Sequence, residues 1–397
     1  MYTPNRSSSY QNSRPNRFSH QRGAPRRPVT LDPRLFINAA QEQPTEEVVI
    51  KHMFTDFKFA PLLERNVLKK GYAKPTPIQD QTILPALEGH DVLGIANTGT
   101  GKTAAFSLPI IQQILSSQFG KRALIMAPTR ELAEQIKDEI KGLALDTNIR
   151  GTLVIGGASM RDQTQSIRRN PHIVIGTPGR LKDLVDRKIL DLSTFDILVL
   201  DEMDRMLDMG FIKDISYLIS FMPEKKQTLF FSATTSRDID KLIQNFLKNP
   251  VKISVKRRDT AVHVEQNVVR VIDGREKMTK LNEILSKQEL KKVLIFGRTK
   301  AGVDRITHNL YQSGHRVGAI HGDKPQSNRQ RVIRMFREDV ISILVATDVA
   351  ARGLDIANVT HVINYDAPAT YEDYIHRIGR TGRADHKGQA ITFVEGR

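Results

Sequence analysis

Val92-Leu93-Gly94-Ile95-Ala96 runs directly into Asn97-Thr98-Gly99-Thr100-Gly101-Lys102-Thr103. A short apolar run, typical of a buried strand, stops at a glycine-rich turn, and Ala104 and Ala105 then favour a helix. Such a turn lets backbone N–H groups surround phosphate oxygens, and the N-terminus of the following helix adds a favourable dipole. The stretch predicts a phosphate-binding loop in which Lys102 reaches the β- and γ-phosphates of a nucleotide and Thr103 binds Mg²⁺. Ala96 replaces the first glycine of the common pattern, and an ordinary Gly/Thr-rich surface turn is the alternative interpretation.

The composition of the chain restricts its class. It has 397 residues, of which 39% are hydrophobic and 26% charged, as in ordinary soluble globular proteins of two or more domains. We expect no membrane span, because no apolar run approaches about 18 residues, and no secretory signal in the polar, arginine-rich N-terminus. The chain has no cysteine, which excludes disulfides and Cys-based zinc sites. This fits a reducing compartment, so we expect a cytoplasmic protein.

The charge balance is basic, since 60 Lys and Arg residues against 44 Asp and Glu residues give a formal net charge of +16. This favours a polyanionic partner, nucleic acid before a membrane surface, and charge that only aids solubility is an equal alternative. Residues 1–50 form a basic Arg/Ser/Pro-rich tail with too few apolar residues for a core, so we expect most of it to be disordered. Tyr2, Tyr10 and Phe18 could stack on bases there, or the tail could be solvated without a dedicated partner.

Residues 51–255 alternate short apolar runs with helical stretches, which predicts a first α/β domain. Consecutive residues of each run are apolar, so both faces of the predicted strand would be buried. This indicates a parallel sheet covered by helices on both faces. A polar motif follows each run, so the motifs gather at the carboxyl edge of the sheet, where open α/β sheets bind ligands. The strands predicted after the phosphate loop are 123–127, 152–155, 173–175, 197–200 and 228–231.

Two polar features of this domain allow alternative interpretations. Asp201 and Glu202 follow a predicted strand, where one carboxylate can hold Mg²⁺ opposite the phosphate loop and the next can orient an attacking water. The alternative is a pair of solvated carboxylates at a strand end. Gln79 could offer a purine one donor and one acceptor, but from spacing alone a glutamine on a helix surface is the simpler interpretation.

The alternation starts again after a basic linker, residues 256–262, and continues over 263–397. This second half has no phosphate loop of its own. The asymmetry predicts that one ATP is shared in a cleft between two domains. The strands predicted in the second half are 268–272, 293–296, 316–320, 342–346 and 361–364.

The motifs, in this order, resemble the DEAD-box RNA helicases of superfamily 2 over most of the chain, from about Phe54 onward. The resemblance implies an α/β fold of two tandem RecA-like domains, each a mostly parallel sheet with helices on both faces. It implies an ATP hydrolase that uses Mg²⁺, with RNA-stimulated hydrolysis coupled to local unwinding of short RNA duplexes by closure of the two domains. RNA would be held through its backbone with little sequence preference. We expect a monomer, and the sequence points to no protein partner.

The resemblance also implies roles for single residues. Asp201 looks like the acid that holds Mg²⁺ partly through water, with Thr103 as a second ligand, and Glu202 looks like the water-activating acid. By the same resemblance, catalysis would also involve Lys102, His376, Arg380 and Arg383. The two arginines would complete the γ-phosphate site. Nucleotide binding involves Phe54, Tyr72, Thr76, Gln79, Ala96, Asn97, Thr98, Gly99, Thr100, Gly101, Lys102, Thr103 and Asp355. Coupling involves Asp204, Ser232 and Thr234. RNA contacts involve Pro128, Thr129, Arg130, Gly156, Gly157, Thr177, Pro178, Gly179, Arg180, Arg298 and Thr347.

Two departures from the family pattern matter. Met203 stands where the name-giving tetrad has alanine, and we expect its flexible side chain to find room behind the loop while the chemistry remains. The chain ends at Arg397, shortly after the strand-like residues 391–394, and we expect a truncated second domain without its usual closing helix. Two other functions stay open. One is an ATP-dependent RNA clamp in which Met203 has slowed turnover, and the other is a DNA-directed superfamily 2 helicase.

Overall fold

The computed structural model describes residues 49–97, 99–117, 120–234, 237–255, 264–287, 290–351, 359–382 and 388–396, which belong to one compact unit. Three residues assigned above to the nucleotide site, Thr98, Asp355 and Arg383, lie outside these ranges. The linker 256–262 and nearly all of the tail 1–50 also lie outside them. No helix in the described ranges has both the length and the apolar character that a bilayer crossing requires.

The first domain is built on a seven-stranded sheet in which every neighbouring pair is parallel. The strands are β1 (Val92–Ala96), β2 (Ala123–Met126), β3 (Gly151–Val154), β4 (Ile173–Gly176), β5 (Ile197–Leu200), β6 (Gln227–Ser232) and β7 (Val251–Val255). Their order across the sheet is β3-β4-β2-β5-β6-β1-β7. This order places the phosphate-loop strand β1 next to β6 and one strand away from β5, which leads into the acidic pair.

Helices cover both faces of this sheet, because successive side chains of a strand point to opposite sides. Leu124 and Met126 enter one core cluster, whereas Ile125 between them enters the other. Helices α1–α4 pack on the Ile125 face and α5–α9 on the Leu124 face. The helices are α1 (Pro61–Lys69), α2 (Pro77–Leu87), α3 (Lys102–Ser116), α4 (Arg130–Leu143), α5 (Met160–Ile167), α6 (Pro178–Asp186), α7 (Met203–Asp208), α8 (Ile212–Ser220) and α9 (Arg237–Phe246).

The second domain repeats the plan with six strands, again parallel in every neighbouring pair. They are β8 (Val264–Val271), β9 (Val293–Phe296), β10 (Val317–Ile320), β11 (Ile343–Ala346), β12 (His361–Asn364) and β13 (Gly388–Glu395), in the order β10-β11-β9-β12-β13-β8. Buried residues of α10 and α11 pack on one face and those of α12 and α13 on the other. The helices are α10 (Gly274–Leu285), α11 (Lys300–Gln312), α12 (Gln326–Arg337), α13 (Asp348–Ala351) and α14 (Tyr371–Ile378).

The predicted fold class, two parallel α/β domains, is confirmed. Most predicted strand limits agree within one or two residues, but strand β7 was not predicted, and β8 begins at Val264 rather than near Val268. This strand lies at the edge of its sheet and alternates exposed polar residues such as Glu265 with partly buried ones, so its start lacks the apolar run that marks the central strands.

Candidate active site

A cavity of about 480 Å³ lies at the carboxyl edge of the first sheet. The first domain lines it with Lys102 and Thr103 from the phosphate loop and with Asp201 and Glu202 after β5. The second domain adds Arg380. The volume falls within the range of about 300–1,000 Å³ that is usual for small-molecule sites. Residues predicted from distant parts of the sequence therefore meet in one cavity, which both domains line.

The phosphate loop is held in shape by its own polar groups. Lys102 begins α3, is 6% exposed, and its Nζ donates to the carbonyl oxygen of Ala96 over 2.9 Å. The Thr100 hydroxyl donates to the carbonyl oxygen of Asn97 over 2.8 Å. Gly101 has a φ of +91°, and a Cβ there would lie 2.5 Å from Nε2 of Gln79, so only glycine fits.

Gln79 links the start of α2 to this loop. Its Oε1 accepts from the backbone N–H of Thr76 over 2.9 Å, and its Nε2 donates to the carbonyl oxygen of Gly101 over 3.1 Å. The side chain is 4% exposed, so the interpretation of Gln79 as a helix-surface glutamine is wrong. Close by, Phe54 and Tyr72 stack with ring centroids 5.9 Å apart and planes at 17°, and Tyr72 also lines the cavity.

The acidic pair is buried where β5 ends. Asp201 is 2% and Glu202 4% exposed, so the alternative of two solvated carboxylates is wrong. Burial raises the pKa of Asp201 to about 6, although the charge of Lys102 acts in the opposite direction. Glu202 has a φ of +52°, an uncommon conformation for a residue with a side chain, and its backbone N–H donates to Oδ1 of Asp201 over 2.9 Å.

The cavity offers the oxygen donors that Mg²⁺ prefers, the Thr103 hydroxyl and the Asp201 carboxylate. No group of three or more His, Cys, Asp or Glu side chains in the described ranges is arranged to hold a metal ion by itself. Burial raises the pKa of Asp201 because it disfavours the charged form, and a bound cation would compensate that charge. The donor set therefore fits an ion held largely by nucleotide phosphates.

The residues predicted to couple the two activities form one hydrogen-bonded group. Oδ2 of Asp204 accepts from the backbone N–H groups of Ala233 and Thr234, each over 3.0 Å, and from the Thr234 hydroxyl over 3.2 Å. The Ser232 hydroxyl donates to the carbonyl oxygen of Thr234 over 2.8 Å. A movement of the segment after β6 would therefore act directly on α7, next to Glu202.

In the second domain, Arg377 fixes α14, the helix that ends two residues before Arg380. It forms a two-pronged contact with Asp348 at 2.6 and 2.7 Å and also donates to Oδ1 of Asn364 over 3.1 Å. The Nε of Arg380 donates to the carbonyl oxygen of His376 over 3.3 Å, while the His376 side chain does not line the cavity. No role was assigned to Arg377 from the sequence, because only those residues of the motif that would contact the phosphate were considered.

A second cavity, of about 430 Å³, crosses the junction between the domains next to the nucleotide cavity. The N-termini of α4 and α6 point polar groups to it, with Thr129 and Thr177 as their N-cap residues. A Cβ on Gly157 would lie 2.4 Å from Nη1 of Arg130, so a glycine there lets that arginine lie against the loop. The predicted RNA contacts that line this cavity are Pro128, Thr129, Arg130, Gly156, Thr177, Gly179 and Arg180.

Four predicted RNA contacts do not line this cavity. Gly157 and Pro178 are direct neighbours of residues that do. Arg298 is exposed after β9, and Thr347 is 9% exposed at the start of α13. The second domain instead contributes the residues Gly322, Arg329 and Val349.

Helices α4 and α12 join the two domains directly. Nη2 of Arg329 lies 2.7 Å from Oε1 of Glu131, with both side chains under a tenth exposed. Nε2 of Gln326 donates to Oε1 of Glu131 over 3.2 Å and to Oε1 of Glu134 over 3.1 Å. Sequence reasoning missed this contact, although Gln326 and Arg329 share a helix face by their spacing of three residues.

Comparisons with known proteins agree with this geometry. The sequence model described as DEAD/DEAH box helicase matches residues 76–242, and the one described as helicase conserved C-terminal domain matches 276–385. The chain is 46% identical over 345 residues to the ATP-dependent RNA helicase CshA of Listeria monocytogenes, an alignment that covers 87% of this chain and 66% of that protein. Saccharomyces cerevisiae Dbp5 bound to RNA and ADP BeF3 aligns with a TM-score of 0.77 and 31% identity, over 87% of this chain and 90% of that one.

The chain belongs to the DEAD-box RNA helicase family. A further member, the DEAD-box helicase Mss116 bound to ssRNA and UDP-BeF, aligns with a TM-score of 0.79 and 30% identity, over 89% of this chain and 76% of that one. The chain spans about two thirds of the length of the curated relatives that it matches, for example 66% of the Listeria protein.

The departure in this DEAD-box tetrad is accommodated in the core. Met203 is 1% exposed and joins the cluster on the Leu124 face of the first sheet, together with Met206 and Phe230. Asp204 still holds the backbone of residues 233–234. The longer side chain is therefore packed away from the nucleotide cavity, whose lining does not include it.

Proposed function

We propose that this DEAD-box chain hydrolyses ATP in response to single-stranded RNA and uses the cycle to open short RNA duplexes locally. The observation that carries the proposal is the single cavity lined by Lys102 and Glu202 from one domain and by Arg380 from the other. A second cavity rich in helix N-termini and arginines crosses the same junction. The similarity to the Listeria ATP-dependent RNA helicase, and the RNA and nucleotide analogues bound to Dbp5 and Mss116, support the same function.

ATP would bind with its phosphates on the loop 97–103 and its base near the stacked pair Phe54 and Tyr72. Oε1 and Nε2 of the Gln79 amide each have a second hydrogen-bonding position, so the side chain can meet an adenine edge while it holds Gly101. The Lys102 ammonium would exchange the carbonyl oxygen of Ala96 for the β- and γ-phosphates.

Mg²⁺ would be held by the Thr103 hydroxyl and, partly through water, by Asp201. Bound there, the ion would neutralise charge that develops on the phosphates. Glu202 would orient a water molecule toward the γ-phosphorus and accept its proton. The water forms the new bond to phosphorus, the bond to the β–γ bridging oxygen breaks, and ADP and inorganic phosphate remain.

Arg380 would stabilise the negative charge of the transition state, and Arg383, which lies outside the described residues, is proposed to help. An arginine in this role contributes about 10³- to 10⁵-fold in rate. Because Arg380 belongs to the second domain, fast turnover would require the two domains to meet. Arg377 supports this role, since it fixes α14 against the strand ends through Asp348.

RNA and ATP would favour the same arrangement of the domains, because both cavities lie across one junction. Each ligand should therefore tighten the binding of the other. The groups around the second cavity suit phosphates, so sequence preference should be slight. A strand bent to follow this surface would be incompatible with a duplex, and a few base pairs would open. Phosphate release would then separate the domains.

We further propose that residues 51–255 and 263–397 are the working domains, joined by the linker 256–262. We propose that the protein acts as a monomer in the cytoplasm, where its lack of cysteine suits reducing conditions.

The proposal is tested by ATP turnover with single-stranded RNA, with single-stranded DNA of the same sequence, and with neither. The salt concentration must be fixed, because contacts with phosphates make affinity strongly dependent on ionic strength. We expect RNA to raise kcat and DNA to leave it unchanged. Equal rates in all three conditions would refute the proposal.

The same experiment separates the two other functions. Tight ATP-dependent RNA binding without turnover would indicate an RNA clamp, and stimulation by DNA as strong as by RNA would indicate a DNA-directed helicase. A strand-displacement assay with a short RNA duplex then tests unwinding. Glu202→Gln should bind ATP and RNA but hydrolyse ATP only at a small residual rate.

A further inference from the structure

Arg205, in the first turn of α7, has no part in the nucleotide or RNA contacts described above. Its guanidinium Nη1 donates to Oε2 of Glu202, and the two side chains are only 3% and 5% exposed. The other terminal nitrogen of Arg205, Nη2, is buried and makes no hydrogen bond within the described part of the chain. The cation is therefore directed at the acid that we propose to orient the attacking water.

Arg205 contacts Glu202 from the side that faces away from the nucleotide cavity. Glu202 lines the nucleotide cavity, whereas Arg205 is not among the residues that line it. The contact uses Oε2 of the carboxylate, so Oε1 can accept a hydrogen bond from a water molecule in the cavity. A side chain in this place can influence Glu202 without touching the nucleotide.

The backbone of Glu202 is fixed by the same turn. Its carbonyl oxygen accepts from the N–H groups of Arg205 and Met206, each over 3.1 Å, and its own N–H donates to Asp201. The left-handed φ of +52° then directs the side chain away from the course of the strand. With the backbone held in this way, the remaining freedom of Glu202 lies in its side-chain torsions, and the Arg205 contact restricts them.

We propose that Arg205 is a positioning residue for Glu202. It compensates the charge of a carboxylate that is almost completely buried, which without a partner would be costly. It also holds that carboxylate in one orientation toward the cavity, and misplacement of a reacting group by about 1 Å can cost about a hundredfold in rate. The inference rests on the proposed function, because it assumes that Glu202 orients the water.

The test compares Arg205→Gln, Arg205→Lys and a matched control, Arg65→Gln. Arg65 lies on α1 and forms an exposed ion pair with Asp146. We expect Arg205→Gln to lower kcat about ten- to a hundredfold, with the KM for ATP and the half-saturating RNA concentration changed by less than about twofold. Arg205→Lys should recover part of this loss, because it keeps the charge. Arg65→Gln should behave as the wild type.

A second arm asks whether Arg205 acts through Glu202. Single-turnover phosphate release is measured for Glu202→Gln with and without Arg205→Gln, and we expect the second substitution to change the residual rate by less than about twofold. An equal loss in both backgrounds would overturn the proposal, as would a raised KM for ATP with unchanged kcat.

If Arg205→Gln does not fold, as judged by circular dichroism, Arg205→Lys decides the question. A several-fold lower kcat at unchanged KM supports the positioning role, and a wild-type kcat overturns it. If wild-type turnover does not respond to RNA, the proposed function fails, but the comparison of variants still stands on the basal rate.

Discussion

The seven-stranded sheet ends in a glycine-rich loop and two buried carboxylates, whereas the six-stranded sheet brings an arginine, Arg380, to the same cavity. Both sheets are parallel and covered on both faces, so the architecture does not distinguish them. The chemistry differs because different residues follow the strands. If the first domain holds the nucleotide and the second completes the site, binding and turnover should be separable by domain.

The largest expected effects come from Lys102 in the first domain and Arg380 in the second, two of the cations that line the nucleotide cavity. Lys102→Ala should abolish nucleotide binding, because it removes the cation of the phosphate loop. Arg380→Ala should lower kcat about 10³-fold and leave nucleotide affinity within a few-fold, because the loop that holds the phosphates is intact. Affinity is measured with a fluorescent ATP analogue and turnover by phosphate release.

Matched controls for this pair are Lys252→Ala and Arg275→Ala, which remove exposed cations from the first and second domains. If Arg380→Ala lost nucleotide affinity as completely as Lys102→Ala, the division of binding and turnover between the two domains would be contradicted.

A smaller effect is expected at the contact between the domains. Glu131→Gln or Arg329→Gln each leaves a buried charge without its partner, so each should weaken ATP-dependent RNA binding by about 2 kcal/mol, roughly thirtyfold. The double variant should lose less than the sum of the two, because no unpaired charge remains. Basal nucleotide binding to the first domain serves as the control. Strictly additive losses would show that the pair does not join the domains in solution.

The smallest effect concerns pH. Burial raises the pKa of Glu134 above its ordinary value, and the weaker opposing effect comes from hydrogen bonds with Gln330 and Gln326 of the second domain. If burial against the second domain outweighs the hydrogen bonds that its glutamines donate, this carboxyl takes up a proton when the domains meet. Acid should therefore favour the contact, and this gain should be lost as pH rises through the raised pKa.

We accordingly expect the ratio of ATP-dependent RNA affinity in the wild type to that in Glu134→Gln to decline a few-fold as pH rises through the raised pKa of Glu134. The glutamine can still accept the hydrogen bonds from α12, so the difference between the two pH profiles isolates the charge. Identical profiles would contradict the assignment.

Much of the fold was predictable because its signals are local. The central strands are short apolar runs such as Ile197–Leu200, and each leads into a polar motif. The edge strand β8 was misplaced at its start for the opposite reason, since exposed polar residues interrupt its pattern. Contiguous motifs of the site, above all the loop 97–103 and the pair Asp201–Glu202, were likewise visible in the sequence.

The contacts that were missed join residues that no single pattern links. Glu131 and Arg329 lie almost two hundred positions apart, and their ion pair depends on how the two domains meet. The role of Gln79 depends on Gly101, which belongs to another element. Arg205 could have been found, because it follows Glu202 by three residues, a spacing that lets side chains meet on one helical turn.

Helix α4 separates and lines both cavities: Gln135 and Asp138 face the nucleotide cavity, while Arg130 and Glu131 face the other. Its 14 residues span about 21 Å as a rigid rod. Gln135 lies four residues, about one turn, after Glu131, so one short stretch of this helix belongs to both walls. An inhibitor that displaces Gln135 would therefore displace Glu131 as well. Compounds of this kind should therefore lower both the affinity for a polynucleotide and the rate of phosphate release. The two dose–response curves should coincide.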